Sequence, residues 1–258
     1  GGDPLLYLSY QTATTSLTFN AINILDAPER VAAAEIEAYE AGIKARLFDG
    51  LMDLNAAVFN YEITNPQVQT ISLLAGGAVR FENAESQRIR GVEFDTLIQI
   101  LPELTDGSLI LTMGATYLDA KYTSFKDGSG FNEATGLYQD GLDFTGNQIV
   151  RSPKYSASAS LLKTFTTAYG PVEVGVDYYY NDGFAYLAQG TPNASEPAYD
   201  TWGASVSYLF ERWDLRVSAF GRNLLNEDYN VSRFVTDFGT LDIVAPRANY
   251  GVKASIEF

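Results

Sequence analysis

Hydrophobic and polar residues alternate in repeated runs along this chain, and the last run is the clearest. Every second residue from Tyr250 to Phe258 is apolar, and the residues between them are small or charged. Because successive side chains in a β-strand point to opposite faces, this pattern predicts a strand with one apolar face and one polar face. Such a strand has lipid or a protein core on one side and water on the other.

The same alternation recurs upstream. Clear runs cover residues 39–47, 109–117, 155–161, 172–180 and 202–210, weaker ones cover 52–61, 89–100 and 215–223, and a short run opens the chain at Leu5 to Tyr10. The pattern predicts an all-β fold of about ten antiparallel strands, roughly nine to twelve residues each, which is the length of a tilted strand that crosses a bilayer.

The connections between the runs alternate between two lengths. Short ones lie at residues 48–50, 101–107, 166–171 and 211–213, and long ones at 12–38, 64–88, 123–153, 181–198 and 225–248. Tight turns at one end and long loops at the other are typical of an up-and-down transmembrane β-barrel. Within the long connections we expect a strand extension from Val68 to Leu74 and a short helix around Ala32 to Glu40.

Composition excludes several classes of site. The 258 residues include no cysteine and no histidine, so thiolate or imidazole zinc sites, Ser-His-Asp triads and thiol nucleophiles are impossible. The net charge of −15 argues against a nucleic-acid partner. No apolar run is long enough for a transmembrane helix. The first four residues resemble no signal peptide, so we expect the start of the precursor to lie upstream.

Aromatic residues gather near the ends of the runs, which indicates girdles at the two membrane interfaces. The residues assigned to these girdles are Tyr39, Phe48, Tyr61, Tyr117, Tyr122, Phe125, Tyr155, Phe165, Tyr180, Phe210, Trp213 and Tyr229. With the chain ending on the short-turn side, Phe258 is expected at the periplasmic interface and Tyr250 near the outer one.

Charged residues offer three candidate chemistries, each with a structural alternative. Paired acids share strand faces at Glu93/Asp95 and Glu173/Asp177, where acid–base catalysis competes with the favoured reading of a solvated lumen wall. The acidic loop 127–143 could bind calcium through its oxygen atoms, but it lacks the regular spacing of a calcium-binding loop. A solvated loop is the favoured alternative. The cations Lys44, Arg46, Arg216 and Arg222 are expected to pair with acids on neighbouring strands or on another domain, or to line a ligand path.

Several segments, in order, resemble one family. They are YEAGIK at 39–44 with LFDG at 47–50, the strand 54–61, ENA at 82–84 with RGVE at 90–93, YLDAKY at 117–122, GN at 146–147 with SPK at 152–154, GRNLLNEDY at 221–229 and the final strand 247–258. The chain beyond about residue 35 resembles the C-terminal portion of a TonB-dependent outer-membrane receptor.

This resemblance implies that residues 1–258 are the C-terminal part of a barrel of roughly 22 strands, whose N-terminal plug has no counterpart here. It implies active uptake of a scarce large solute, such as a ferric siderophore, cobalamin or a glycan, in the bacterial outer membrane. The implied partners are outer-membrane lipid, the upstream plug and barrel strands, a TonB-type energy-coupling protein that acts through the missing N-terminal part, and the outer-membrane assembly machinery. No cofactor and no enzymatic activity are expected. The alternative is a small structural or passive outer-membrane barrel.

Aromatic residues in the long connections are the candidate ligand contacts, although packing roles compete with ligand contact. They are Phe131, Tyr138, Phe144, Phe184, Tyr186, Phe234 and Phe238. The terminal Phe258 resembles the signal that the assembly machinery reads, and the alternative is that it is simply the last apolar residue of a packed strand.

Overall fold

The computed structural model describes residues 4–20, 28–72, 78–104, 107–132, 135, 137–236 and 239–256. These residues form β-strands and three 3₁₀ turns, at Phe48–Gly50, Pro192–Ala194 and Glu211–Trp213, with no α-helix among them. In this part of the chain no helix is long and apolar enough to cross a membrane.

The strands alternate between long ones, which build one large sheet, and short ones outside it. In chain order they are β1 (Leu5–Thr14), β2 (Thr18–Asn20), β3 (Glu29–Val31), β4 (Glu35–Leu47), β5 (Met52–Thr64), β6 (Gln67–Ser72), β7 (Ala78–Asn83), β8 (Ser86–Leu104), β9 (Gly107–Ser124), β10 (Gly128–Phe131), β11 (Tyr138–Leu142), β12 (Tyr155–Phe165), β13 (Val172–Asn181), β14 (Phe184–Ala185), β15 (Ser195–Glu196), β16 (Tyr199–Phe210), β17 (Leu215–Arg222), β18 (Asn230–Thr236), β19 (Gly239–Val244) and β20 (Asn249–Ile256).

The large sheet is a ten-stranded antiparallel meander. Its order is β1-β4-β5-β8-β9-β12-β13-β16-β17-β20, so each long strand pairs with the long strands before and after it in the chain. The predicted number of strands, their direction and their up-and-down order are confirmed. The sheet is open, because β1 and β20 lie at its two ends.

The pairing register puts the apolar positions of all ten strands on one face. Tyr117 on β9 pairs with Val92 on β8 and with Tyr155 on β12, and further along Val176 pairs with Leu161 and Ala204. Because the side-chain period is two, a slip of one residue would turn a whole strand over. The alternation predicted from the sequence is therefore matched strand to strand.

The other face is polar and concave. A cavity of about 270 Å³ on it is lined by residues that include Glu93, Asp95 and Ser158. Aromatic rings lie over glycines of neighbouring strands here: a Cβ on Gly42 would come within 2.5 Å of the Tyr7 ring. Glycines let a sheet bend, and aromatic rings over them help to fix the strand register. We call this the concave face and the apolar one the convex face.

The two kinds of connection lie at opposite ends of the sheet. Between long strands, the short turns follow β4, β8, β12 and β16, and the long connections each contain a two-stranded hairpin: β2–β3, β6–β7, β10–β11, β14–β15 and β18–β19. The predicted extension at Val68 is confirmed, since it lies in β6; residues 73 and 74 lie outside the described residues.

Two local predictions were wrong. The helix expected around Ala32 to Glu40 is instead a short irregular stretch, residues 32–34, followed by the beginning of β4. The reason is that β4 is held on both edges by β1 and β5, and its alternation outweighs the helix propensity of its alanines. Tyr122 and Phe125 are not girdle residues: each is 1% exposed. Tyr61 faces the concave side, where its hydroxyl donates to Glu40 at 3.3 Å.

Candidate functional site

The long connections pack together over one end of the sheet, and we call their five hairpins with the joining residues the loop layer. Hydrogen bonds join the first two hairpins. Asn20 Nδ2 donates to the Phe81 carbonyl at 2.7 Å, and the Phe81 amide donates back to Asn20 Oδ1 at 2.9 Å. Arg80 forms an ion pair with Glu29 at 2.6 Å, and this contact holds the pKa of Glu29 below its usual value.

A small hydrophobic core lies within the loop layer. The ring of Phe125 packs on Tyr122 and on Phe144, with centroids 5.1 Å and 5.2 Å apart. Other buried members of this core are Val68, Ala84, Ala120, Ile149 and Ala188. Full burial of a large apolar side chain contributes about 1.5–3 kcal/mol, so these residues hold three of the long connections together.

Polar side chains bridge the hairpins around this core. Glu82 of β7 accepts the Ser129 amide of β10 at 3.1 Å, and Gln189 Oε1 accepts the Phe131 amide at 2.9 Å. Burial raises the pKa of Glu82, and its hydrogen bonds with Ser129 oppose that shift. The β10–β11 hairpin is therefore tied to the connections on both sides of it.

The last two hairpins are joined through a buried carboxylate. Glu196 is 4% exposed. It accepts the Tyr186 hydroxyl at 2.8 Å, the Asn230 amide at 2.9 Å and Asn230 Nδ2 at 3.1 Å. The Tyr186 hydroxyl also lies 2.8 Å from the Asn230 carbonyl. Burial, followed by the hydrogen bond to Glu196, raises the pKa of Tyr186, so this phenol stays a neutral donor.

Two guanidinium groups flank the Tyr186 ring. Arg151 lies 5.5 Å and Arg233 5.9 Å from its centroid, which is cation–π distance. Arg233 also pairs with Asp242 at 2.6 Å, and Arg151 donates to the Val231 carbonyl at 3.2 Å. Tyr186 therefore links the third, fourth and fifth long connections.

The candidate ligand-contacting aromatics have different environments. Phe131 (9% exposed), Phe144 (5%) and Tyr186 (8%) are buried within the loop layer, whereas Phe234 is 36% exposed. Phe184 lies under the Arg151 guanidinium, and Tyr138 packs edge-on against Phe131. Phe238 and Phe258 lie outside the described residues. Ligand contact by these residues stays a prediction, and Phe234 is the described member most open to a ligand.

The residues that organise this layer could not be found from the sequence. Glu196, Asn230, Arg151 and Arg233 could not be singled out, because their contacts between connections join residues far apart along the chain: Glu196 and Asn230 are 34 residues apart, and Arg151 and Val231 are 80 apart. No periodicity or short motif marks such contacts. The sequence offers one hint for Glu196: it is a single charged residue among small residues beside Pro197.

The concave face carries the candidate acids and cations of the strands. Glu173 forms an ion pair with Arg216 and accepts Ser207 Oγ at 2.9 Å. Arg46 pairs with Asp53 at 2.8 Å. The predicted pairing of these arginines with acids on nearby strands is confirmed, and exposed pairs of this kind contribute little to stability.

The paired acids make hydrogen bonds to polar neighbours on the same face. Asp95 accepts Asn55 Nδ2 at 2.8 Å, and Asp177 accepts Ser160 Oγ at 2.8 Å. Among the described residues, no group of three or more histidine, cysteine, aspartate or glutamate side chains could hold a metal ion. The geometry is that of a hydrogen-bonded polar wall beneath a packed loop layer.

This chain matches a known protein family. The family described as "TonB dependent receptor-like, beta-barrel" matches residues 5–224. The protein "Probable TonB-dependent siderophore receptor PiuA" of Acinetobacter baumannii is 27% identical over 247 residues, which cover 91% of this chain and 30% of that protein.

Solved structures show the same fold. The ferric yersiniabactin uptake receptor FyuA of Yersinia pestis superimposes with a TM-score of 0.79 at 16% identity, covering 100% of this chain and 35% of FyuA. The siderophore receptor PiuA of A. baumannii gives 0.72 at 21% identity, covering 97% of this chain and 33% of PiuA. This chain thus spans about a third of the length of its relatives.

Proposed function

Because this chain belongs to the TonB-dependent receptor-like β-barrel family, we propose that the complete protein containing it takes up a scarce large solute, with a ferric siderophore as the best-supported class. Receptors of this family lie in the outer membrane of Gram-negative bacteria, which is the location of this chain, and they are receptors and transporters rather than enzymes. The observation that carries the proposal is the match over residues 5–224.

The siderophore class rests on relatives rather than on a pocket. PiuA, which is 27% identical, is named as a siderophore receptor, and FyuA takes up ferric yersiniabactin. The loop layer supports a ligand role at the outer end, because binding residues concentrate on loops that a rigid scaffold positions.

We further propose that residues 1–258 are the C-terminal part of a barrel of roughly 22 strands, and that a plug domain and further strands belong to the complete protein. An open sheet leaves backbone groups without partners at both edges, which a bilayer does not tolerate. Strands that close the barrel against β1 and β20 would satisfy those groups. A TonB-type energy-coupling protein is the proposed partner of the plug.

Uptake measurements test this function. Deleting the gene for the complete protein should abolish accumulation of radioactive iron from one ferric siderophore of a panel, in iron-limited cells. Restoring the gene should restore uptake only in cells with a working TonB system. Uptake that continues without TonB would favour a passive barrel, and unchanged uptake for every siderophore would contradict the siderophore class.

Two aromatic variants, tested in the restored cells, separate ligand contact from general damage. Phe234→Ala should raise the half-saturating siderophore concentration about tenfold, the effect typical of removing one aromatic anchor, with unchanged receptor in the membrane. Tyr169→Ala is the control, because Tyr169 is 81% exposed in the short turn at the opposite end. Equal effects of both variants would remove Phe234 from the ligand site.

Phe258 is proposed as an assembly signal. Deleting this residue should lower the folded, membrane-inserted fraction of the complete protein several-fold while uptake per inserted molecule stays unchanged. Comparing heat-resistant, folded receptor with total receptor in outer-membrane preparations measures the first quantity. Normal insertion together with impaired uptake would show that Phe258 acts in transport instead.

A further inference from the structure

One cation interrupts the apolar convex face near the short-turn end. Lys163 on β12 pairs in register with Leu109 of β9 and Val174 of β13. The same row continues through Val206, Ala219 and Val252. From the row of Met113 and Ala159 down to the short turns, Lys163 is the one charged residue on this face among those whose side chains the structure describes.

Among the described residues, Lys163 has an aromatic platform but no acidic partner. Its Nζ lies 5.1 Å from the ring centroid of Phe165, two residues on along the same face. In the described part of the chain, the ion pairs involve other residues. The strand ends at Phe165, where the short turn to β13 begins. The ammonium therefore lies close to the boundary of the apolar face.

From this position we infer that Lys163 binds the phosphate of an anionic phospholipid headgroup in the periplasmic leaflet. A lysine facing lipid is costly at the middle of a bilayer and tolerated near the interface. Its long apolar stem lets the ammonium reach outward to the headgroups while the stem stays among apolar neighbours. The Phe165 ring holds the ammonium at the level where aromatic girdles lie. The positive charge of Lys163, with no acidic partner in the part of the chain that the structure describes, selects a phosphate-bearing headgroup.

Lipid binding by the complete receptor tests this inference without any transport assay. The receptor is placed in nanodiscs of phosphatidylglycerol mixed with phosphatidylcholine, and native mass spectrometry counts the lipids retained. Lys163→Leu, which extends the apolar face and should fold, is expected to retain phosphatidylglycerol about fivefold less well, the effect of one lysine at a charged membrane surface. Lys163→Arg should retain as much phosphatidylglycerol as the wild type.

Lys253→Leu is the matched control, because Lys253 faces the concave side of β20 opposite Ser218. It should leave the lipid count unchanged. Equal retention by wild type and Lys163→Leu would overturn the inference. So would displacement of the lipid by millimolar inorganic phosphate, which would indicate a general anion site, or a change of oligomeric state in Lys163→Leu, which would indicate an acidic partner on a second copy. Because no siderophore takes part, failure here would leave the proposed uptake function untouched.

Discussion

Gly170→Ala is expected to prevent most of the protein from folding into its barrel. Gly170 lies in the short turn between β12 and β13. Its φ is +132°, a backbone conformation that residues other than glycine rarely adopt. An added Cβ would overlap the carbonyl oxygen of Leu209 near the end of β16. The end of β16 cannot move away easily, because the Leu209 amide donates to the Pro171 carbonyl at 3.1 Å.

The expected cost is the sum of backbone strain and a collision with backbone, together more than about 4 kcal/mol, which is exceptional for one substitution. The folded fraction of the complete protein in outer-membrane preparations measures it. Gly239→Ala is the control: Gly239 has a similar φ of +145°, but a Cβ there would meet no atom within 4 Å. Gly239→Ala should keep a nearly normal folded fraction. Equal losses of folded protein in both variants would mean that backbone strain, and not the collision with Leu209, causes the loss.

Glu196→Ala is expected to loosen the loop layer while the sheet remains intact. The carboxylate accepts hydrogen bonds from Tyr186 and from both nitrogens of Asn230. Without it, the half-buried Asn230 amide loses its acceptor, and an unsatisfied buried polar group costs about 1–3 kcal/mol. The free energy of opening the β14–β15 and β18–β19 hairpins should fall by about 3 kcal/mol, so their amide hydrogens should exchange roughly 100-fold faster.

Glu196→Gln separates hydrogen bonding from charge. Glutamine keeps the shape and one acceptor oxygen, so exchange in the two hairpins should accelerate less than tenfold. Amides of β12 and β13, which lie in the sheet, should exchange at the wild-type rate in both variants. Faster exchange throughout the sheet would show that the loop layer and the sheet open together, and unchanged exchange in the hairpins would show that Glu196 does not hold them.

The membrane-crossing part of this protein could be read largely from its sequence. Each strand has one apolar and one polar face, so the alternation in the sequence shows where the strand begins and ends. Pairing in register then places the apolar faces of neighbouring strands on the same side of the sheet. The segment from Ala32 to Glu40 misled the prediction because alanine favours a helix locally, and the pairing of β4 with β1 and β5 outweighs that preference. The alternation Glu35, Ile36, Glu37 was the better signal.

The loop layer was beyond such reasoning. The sequence could mark long polar connections and their aromatic residues, but it could not show that Phe144 and Tyr186 are buried while Phe234 stays open. Nor could it show which side chains hold the hairpins together, as Glu196 does from 34 residues away.

The sequence by itself therefore determined the fold class, the strand order, the apolar face and the family, because alternation and local motifs repeat at short range along the chain. Tertiary structure alone decided the packing of the loop layer and the isolation of Lys163 on the convex face. Both depend on contacts between distant residues, and such contacts follow from the register and closure of the whole sheet rather than from any local pattern.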